Sequence, residues 1–410
     1  MKKTLSVLAL ASVFAASSAF ASGYRIPEQS VDSTAKSGAN VASSTSADIS
    51  YFNPANMAWA GDGWMTEVDL SWIYLSAIEY EDNRSPTLNG ESETENFFLP
   101  TVFLVSPDFS NFRFGFAVTA PFGLAKRWRD PFPGTYSQKF SLQVFELNPS
   151  VSYKFNEYVS VAAGLRMLMS QAVAKNGGTT TTGVSFSREL KGEFDVDWGY
   201  NLALSFKPME DLNLSVTYRS EVDMDLSGDA TLWTNFPTSF TFESDGNVTL
   251  PAPAVLALSA AYTWNDLTVE LTWDRTFWSA YEELDIQYST PLTNPVLFSI
   301  FGSPVPKDWD DTDAFRLGLT YKATDAITVM AGFAFDSNPV PEEHLSFELP
   351  DSDAYIFSIG GRYAINEQME AGVGFLYDYK KSREVSNSTI NGEFTNAAAM
   401  FLTVGLSYKF

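Results

Sequence analysis

The 410-residue sequence contains no cysteine and a single histidine, His344. Without cysteine there is no disulfide framework, no thiolate chemistry and no cysteine for a lipid anchor. With one histidine there is no multi-histidine metal site, and a Ser-His or Asp-His hydrolase would have to be built on His344. That residue lies between Pro339 and Pro350 beside further acids, a stretch that reads as solvated loop. Accordingly no catalytic residue, metal or cofactor is expected. Basic residues are scarce as well: 26 Lys and Arg stand against 50 Asp and Glu, for a formal charge of −24. Phosphate backbones are bound by basic clusters, so nucleic acid is not an expected partner. Past the N-terminus there is also no run of ~18 apolar residues, which excludes a transmembrane helix.

The N-terminus itself reads as a cleaved signal peptide over 1–21. Met1-Lys2-Lys3 is basic, Leu5 to Phe14 is apolar, and Ala19-Phe20-Ala21 is a small-x-small cleavage site. The chain is therefore expected to be exported.

Apolar residues make up 45% of the sequence and aromatics 15%, and they are dispersed rather than blocked. Their period is two. From Phe194 to Phe206, Val196, Trp198, Tyr200, Leu202 and Leu204 alternate with Asp195, Asp197, Gly199, Asn201, Ala203 and Ser205. That is a strand with one apolar and one polar or small face. The same alternation recurs at Val159–Met167, Leu267–Trp273, Phe315–Tyr321 and Met369–Tyr377. Fourteen strands are expected, near 63–79, 94–106, 111–121, 138–154, 156–172, 190–207, 211–228, 251–264, 266–284, 311–322, 325–336, 353–364, 367–380 and 397–410. Short turns alternate with long loops, and most strands reach the roughly 9–11 residues that cross a bilayer. Lipid outside and a polar lumen inside suit this pattern, and a closed barrel leaves no edge strand. The fold expected is all-β, a 14-stranded antiparallel transmembrane barrel over residues 63–410. The last strand alternates Leu402, Val404, Leu406, Tyr408 and the terminal Phe410 with small and polar residues, like an outer-membrane assembly signal.

Residues 22–62 do not alternate. They are rich in Ser, Ala, Asn, Gly and Thr, yet carry Tyr51, Phe52, Met57 and Trp59, which a solvated tail would not need. A compact plug in the lumen is the sharper reading, against a disordered tail.

Ser22-Gly23-Tyr24-Arg25 followed by Asn53-Pro54-Ala55 resembles the FadL/TodX family of outer-membrane transporters of long-chain fatty acids and aromatic hydrocarbons. So do the small-residue track Ser37–Ala42 with Ala47-Asp48, the stretch Ala120-Pro121-Phe122-Gly123-Leu124-Ala125, Asn148–Lys154 and Asp197–Asn201. The likeness runs through the whole mature chain. It implies a hatch over 22–62 in a fourteen-stranded barrel, capture of substrate among extracellular loops, an internal pocket near the N-terminus, and lateral exit through a kinked strand. Tyr24 matches the aromatic position after the family's leading glycine, which implies ligand contact.

The residues supply material for these steps. Loop 121–137 joins apolar Phe122, Leu124, Trp128 and Phe132 with basic Lys126, Arg127 and Arg129, so it could hold an alkyl chain and pair with a carboxylate, or contact lipopolysaccharide phosphates. The apolar loop Pro291–Pro306 offers a second wall. Strand parity turns Arg113, Arg166, Arg219, Arg316 and Arg362 inward together with many acids; Arg166 and Arg219 are the candidate carboxylate anchors. Pro121 and Gly123 end the third strand, where the family pattern has its kink, and Pro100 and Pro149 add breakers beside it. The expected function is passive uptake of hydrophobic small molecules by a monomeric barrel in the bacterial outer membrane, in contact with its lipid and lipopolysaccharide. A porin for small polar solutes is the alternative, and an omptin-like enzyme using His344 a third.

Overall fold

The structure, a computed structural model, describes residues 23–410. The signal peptide expected over 1–21 lies outside the described residues.

Fourteen strands close into an antiparallel barrel. They are β1 (Met65–Leu75), β2 (Glu95–Val105), β3 (Phe112–Arg127), β4 (Lys139–Lys154), β5 (Val159–Thr179), β6 (Asp195–Met209) and β7 (Leu212–Arg219), then β8 (Val255–Trp264), β9 (Leu267–Thr276), β10 (Thr312–Lys322), β11 (Ile327–Asp336), β12 (Ala354–Ala364), β13 (Met369–Lys380) and β14 (Ala398–Lys409). Neighbours in sequence are neighbours in the wall, and β1 closes on β14 from Met65↔Lys409 to Leu75↔Ala399. Closure satisfies the backbone polar groups that lipid would otherwise strand. The period-two pattern fixes the register, because a one-residue slip would turn every charge of a strand into lipid. Trp198, Leu271 and Phe315 accordingly point outward and are 58%, 61% and 57% exposed, which no water-soluble sandwich would tolerate in such number.

Several strand ends differ from the sequence expectation: the fifth strand runs on to Thr179 rather than 172, and the ninth stops at Thr276 rather than 284. The seventh strand stops at Arg219 rather than near 228. Residues Val222–Thr234 leave the wall and pair with Phe240–Ala252 and Ser185–Gly192 in a sheet above the long-loop end. The third strand does not end at Pro121 and Gly123 but bends and runs on to Arg127. Pro100 and Pro149 likewise sit within continuous strands, paired with Leu70 and Phe116. Beside Pro149, which has no N–H to give, the Asn148 side chain donates to the Leu165 carbonyl at 2.8 Å.

Residues 23–60 are almost wholly buried against the inward faces of the strands. The segment holds two short helices, α1 (Val31–Ala35) and α2 (Ile49–Phe52), and a 3₁₀ turn over Pro54–Trp59. Ser30 and Ser33 form a reciprocal cap at the start of α1. The wall makes room for α1 with glycine. A Cβ on Gly374 of β13 would stand 2.8 Å from the Val31 carbonyl, and one on Gly372 would stand 2.8 Å from the Val31 side chain.

Polar anchors complete the fit. Glu270 of β9 accepts the backbone N–H groups of Val41, Ala42 and Ser43 at 2.7, 2.8 and 2.9 Å. Arg362 of β12 donates to Asp32 and Glu67, each at 2.5 Å. Arg316 of β10 donates to Asp274 at 2.6 Å and to the Ser37 carbonyl at 3.1 Å. Asn53 shares its amide N–H groups among Val41 O, Ser205 Oγ and Ser215 Oγ, each at 2.9 Å, while its own oxygen caps Ala55 N–H at 3.1 Å.

Candidate functional site

The wall is incomplete at one place. β3 pairs with β2 only over Gly115–Val118 against Val102–Val105. On its other side β3 follows β4 up to Thr119 and resumes at Phe122 one register step later. The bulge falls on Ala120-Pro121, where proline has no N–H for the ladder. Past it the strand turns inward, and residues 120–126 are all buried. Contact with the β2 side returns only above, where Ser92 bridges Trp128 and Glu93 N–H donates to the Arg127 carbonyl at 2.8 Å.

The N-terminal segment fills the place β2 vacates. Ile26 N–H donates to the Pro121 carbonyl at 2.7 Å, and Gly123 N–H donates to the Tyr24 carbonyl at 2.8 Å. Arg25 and Phe122 thus form a cross-strand pair. Gln29 extends the stitch: its side-chain N–H donates to the Ala120 carbonyl at 3.0 Å and its oxygen accepts Ala120 N–H at 2.8 Å. Between this added strand and β2 lie apolar side chains, Ile26, Phe97, Leu99, Ala120 and Ala125.

Above the bend, the lumen is packed with aromatics. Tyr24 meets Trp278 at 4.6 Å, Trp309 at 5.7 Å and Phe122 at 6.2 Å between ring centroids. Burial raises the Tyr24 phenol well above its ordinary pKa, so the hydroxyl stays protonated and donates to the Pro251 carbonyl at 2.5 Å. Phe122, Leu124 and Trp128 belong to the same cluster as Tyr24. The indole N–H groups of Trp278 and Trp309 are buried without a hydrogen-bond partner.

The expected basic anchors are placed differently. Arg166 and Arg219 do face inward and line a small cavity with Arg25, Tyr51 and Phe122. Both, however, are held by Glu146 of β4: Arg166 Nη2 is 2.9 Å from its carboxylate, and Arg219 donates to its other oxygen while stacking on Tyr51 at 4.2 Å. Arg127 turns to the opposite side of β3 from Trp128 and pairs with Glu93 and Glu95 at 2.7 Å; Arg129 also pairs with Glu93. Lys126 instead points in and is buried. The Asn53-Pro54-Ala55 turn touches the wall, with Ser160 Oγ donating to the Ala55 carbonyl at 2.8 Å.

Two cavities open among the loops. One, of about 390 Å³, is lined by Arg188, Phe301, His344, Phe347 and Ser388 among others. The other is bounded by Phe140, Ala172, Leu190, Leu226, Val248 and again Arg188. The loop Pro291–Pro306 supplies part of the first wall through a helix, Pro295–Phe301, whose Leu297 and Phe301 pack on Leu232 and Phe242. His344 is a half-buried loop residue with Nε2 3.1 Å from Asp308. Among the described residues no cluster of three or more His, Cys, Asp or Glu is placed to hold a metal ion. Sequence reasoning missed Trp278, Trp309 and Arg188. For Trp309 the signal was there, since it lies in a long loop where no bilayer interface requires an indole; Trp278 fell within the ninth strand as expected from the sequence.

The chain matches the family model described as outer membrane protein transport protein (OMPP1/FadL/TodX) over residues 12–410. A long-chain fatty acid transport protein of Escherichia coli O6:H1 is 27% identical over 341 residues, 73% of each chain. A 47 kDa outer membrane protein of Pasteurella multocida is 24% identical over 100% of this chain and 99% of its own. In fold, the chain resembles a FadL homologue of Pseudomonas aeruginosa with a TM-score of 0.84 at 18% identity, covering 95% of this chain and 100% of that one. The Pseudomonas putida toluene transporter TodX gives 0.72 at 17% identity over 93% and 98%.

Proposed function

This chain belongs to the OMPP1/FadL/TodX family of outer-membrane transport proteins, and from that premise we propose passive uptake of hydrophobic small molecules, long-chain fatty acids or related hydrocarbons. The broken β2–β3 pairing carries this reading. A polar lumen with a buried N-terminal segment offers a water-insoluble molecule no through-channel, whereas an apolar gap in the wall gives it a path to lipid. Substrate enters the loop cavities and moves to a pocket around Tyr24, Phe122, Leu124 and Trp128. It leaves sideways where Pro121 and Gly123 bend β3 away from β2. Residues 22–62 act as the hatch, held by Glu270, Arg362, Arg316 and Asn53. The driving force is the concentration gradient, with each buried CH₂ contributing roughly 0.8 kcal/mol to binding. The barrel works as a monomer among lipid and lipopolysaccharide.

The test is uptake of labelled palmitate and of toluene by cells producing the chain, compared with the Gly123→Val variant. A β-branched residue favours regular pairing at the bend, so uptake is expected to fall while the barrel still assembles. Unchanged uptake by assembled Gly123→Val would remove the lateral route.

A further inference from the structure

The outward face of the wall carries a charge arrangement that the uptake route does not use. Lys139 opens β4 at the long-loop end and stands directly opposite Arg127 of β3 on one side and Lys175 of β5 on the other. The chain has 26 bases against 50 acids, and among the described strand pairs no other two basic residues face each other. By strand parity these side chains leave the wall on the side away from Phe140, Ala174 and Arg188, which face a loop cavity. Like charges directly opposite each other destabilise a sheet. Arg127 is compensated by Glu93 and Glu95, each at 2.7 Å. Lys175 shares Glu189 with Lys191, at 2.8 and 2.7 Å, and Lys191 also faces Asp229 on its far side. No carboxylate lies within salt-bridge distance of Lys139. The uncompensated charge therefore sits at the Lys139–Lys175 pair.

Below that pair the outward side chains change in order. Gln143 faces Gln171, whose amide donates to the Gly192 carbonyl at 2.8 Å; Phe145 then faces Met169, and Leu147 faces Met167. The lysines stand roughly 20 Å along the strand from the first apolar pair. Cation, amide and hydrocarbon thus follow one another from the long-loop end toward the middle of the wall. A phosphorylated glycolipid has the same succession of parts: phosphate, sugar hydroxyls, acyl chains. A free phosphate has only the first.

We propose that the outward face of β4 and β5 binds the lipid A of lipopolysaccharide, with a phosphate between Lys139 and Lys175 and acyl chains along Phe145, Leu147, Met167 and Met169. A bound phosphate turns the repulsion of the lysine pair into two charge-assisted contacts. This rests on the outer-membrane placement of the barrel and gives its lipopolysaccharide contact a place. Arg127 and Arg129, which the sequence suggested for that contact, are already paired with Glu93 or Glu95.

The experiment measures binding of diphosphoryl lipid A, of its dephosphorylated form and of inorganic phosphate to the purified full barrel by native mass spectrometry. It is repeated with Lys139→Gln/Lys175→Gln and with the charge-preserving Lys139→Arg/Lys175→Arg. A third variant, Arg275→Gln/Lys381→Gln, removes two cations that already have acidic partners. Each is checked for heat-modifiable migration as an assembled barrel. Diphosphoryl lipid A is expected to bind at least tenfold more tightly than the dephosphorylated form. Lys139→Gln/Lys175→Gln should erase most of that preference, Lys139→Arg/Lys175→Arg should keep it, and Arg275→Gln/Lys381→Gln should leave it unchanged. An unchanged preference in Lys139→Gln/Lys175→Gln, or an equal loss in Arg275→Gln/Lys381→Gln, overturns the site. Inorganic phosphate that displaces lipid A at equal concentration would make this a free-anion site and overturn the glycolipid. Binding lost to a chelator but kept in Lys139→Gln/Lys175→Gln would assign lipid A to acids bridged by a divalent cation, again overturning the proposal. None of these outcomes touches hydrophobic uptake, which is read separately with palmitate.

Discussion

Arg25 and Phe122 face each other as a non-hydrogen-bonded antiparallel pair, flanked by the bonds from Ile26 N–H to Pro121 O at 2.7 Å and from Gly123 N–H to Tyr24 O at 2.8 Å. Pairs of this kind bring Cα atoms to about 4.5 Å, within the range a disulfide spans. The chain has no cysteine of its own. An Arg25→Cys/Phe122→Cys variant should therefore form one defined bond that fastens the N-terminal strand to the bend in β3. If that strand must part from β3 for substrate to leave, palmitate uptake in the oxidised variant should fall at least tenfold and recover on reduction. Comparing one protein in two redox states separates tethering from the loss of either side chain. Equal uptake in both states means the strand stays docked during transport.

Glu270 fixes the other end of the N-terminal segment by a different device. Three successive backbone N–H groups, from Val41 to Ser43, converge on one carboxylate, and Ser43 Oγ joins them. Hydrogen bonds to a charged group are worth about 1.5–3 kcal/mol each, and an orphaned donor costs a similar amount. Glu270→Ala should loosen residues 41–43 without altering the β8–β10 wall. Single-barrel conductance in planar bilayers should then show frequent open events that the parent lacks. A silent barrel would mean that the remaining anchors at Arg362 and Asn53 suffice.

Most of the barrel was legible in the sequence, because a membrane strand must alternate and its side chains have only two places to go. Phe194 to Phe206 pointed outward as read, and Glu270, Asp274 and Arg316 inward. The strand ends were less legible where local chemistry and tertiary pairing disagree. Pro121 and Gly123 look like terminators, yet β4 on one side and residues 24–26 on the other keep β3 paired to Arg127. Parity after a bulge was the hardest to read: the inserted step is invisible in sequence, so Lys126 and Arg127 could not be sorted into lumen and outer side. The roles of Arg166 and Arg219 were obscured for another reason. Their partner Glu146 sits on β4 while Arg166 is on β5 and Arg219 on β7, and no spacing within one strand announces a contact made between strands.

Glu28 gives the docked segment a pH dependence. The residue is buried beside Arg316, Asp336 and Arg25, and desolvation, only partly offset by Arg316, raises its pKa to about 7. An acid whose folded pKa is raised binds more protons when docked than when released. Docking is therefore at full strength at low pH and weakens as pH rises through the interval up to about 7, by roughly 3 kcal/mol in all. Hydrogen exchange of the amides of residues 28–36, corrected for intrinsic rate, should show less protection at pH 8 than at pH 5.5. Glu28→Gln should flatten the difference and match the protected, low-pH behaviour. Opposite slopes, or an unchanged slope in Glu28→Gln, would place the titrating group elsewhere.

The glycines along β10 to β13 make a prediction that distinguishes packing from polar anchoring. A Cβ at Gly332 would fall on the Lys36 backbone, and one at Gly318 would stand 2.9 Å from the Ala39 side chain. Neither contact involves the wall's own ladder, since β10 and β11 pair through Gly318↔Gly332 with ordinary neighbours on both sides. Gly332→Val suits the strand, where β-branched residues are favoured; the added carbon would also stand 2.5 Å from Ser358 Oγ of β12, a side chain that can turn away, so the Lys36 backbone is the harder obstacle. The barrel should assemble and resist heat as before, while α1 is displaced from its seat and Asp32 loses Arg362. Limited proteolysis from the short-turn side should then cleave within residues 30–45, which the parent protects. The same variant should conduct ions, because the polar lumen that the segment fills would hold water. Intact protection with normal assembly would mean the wall yields instead of the segment, and that the glycines serve the barrel's curvature rather than the fit of α1.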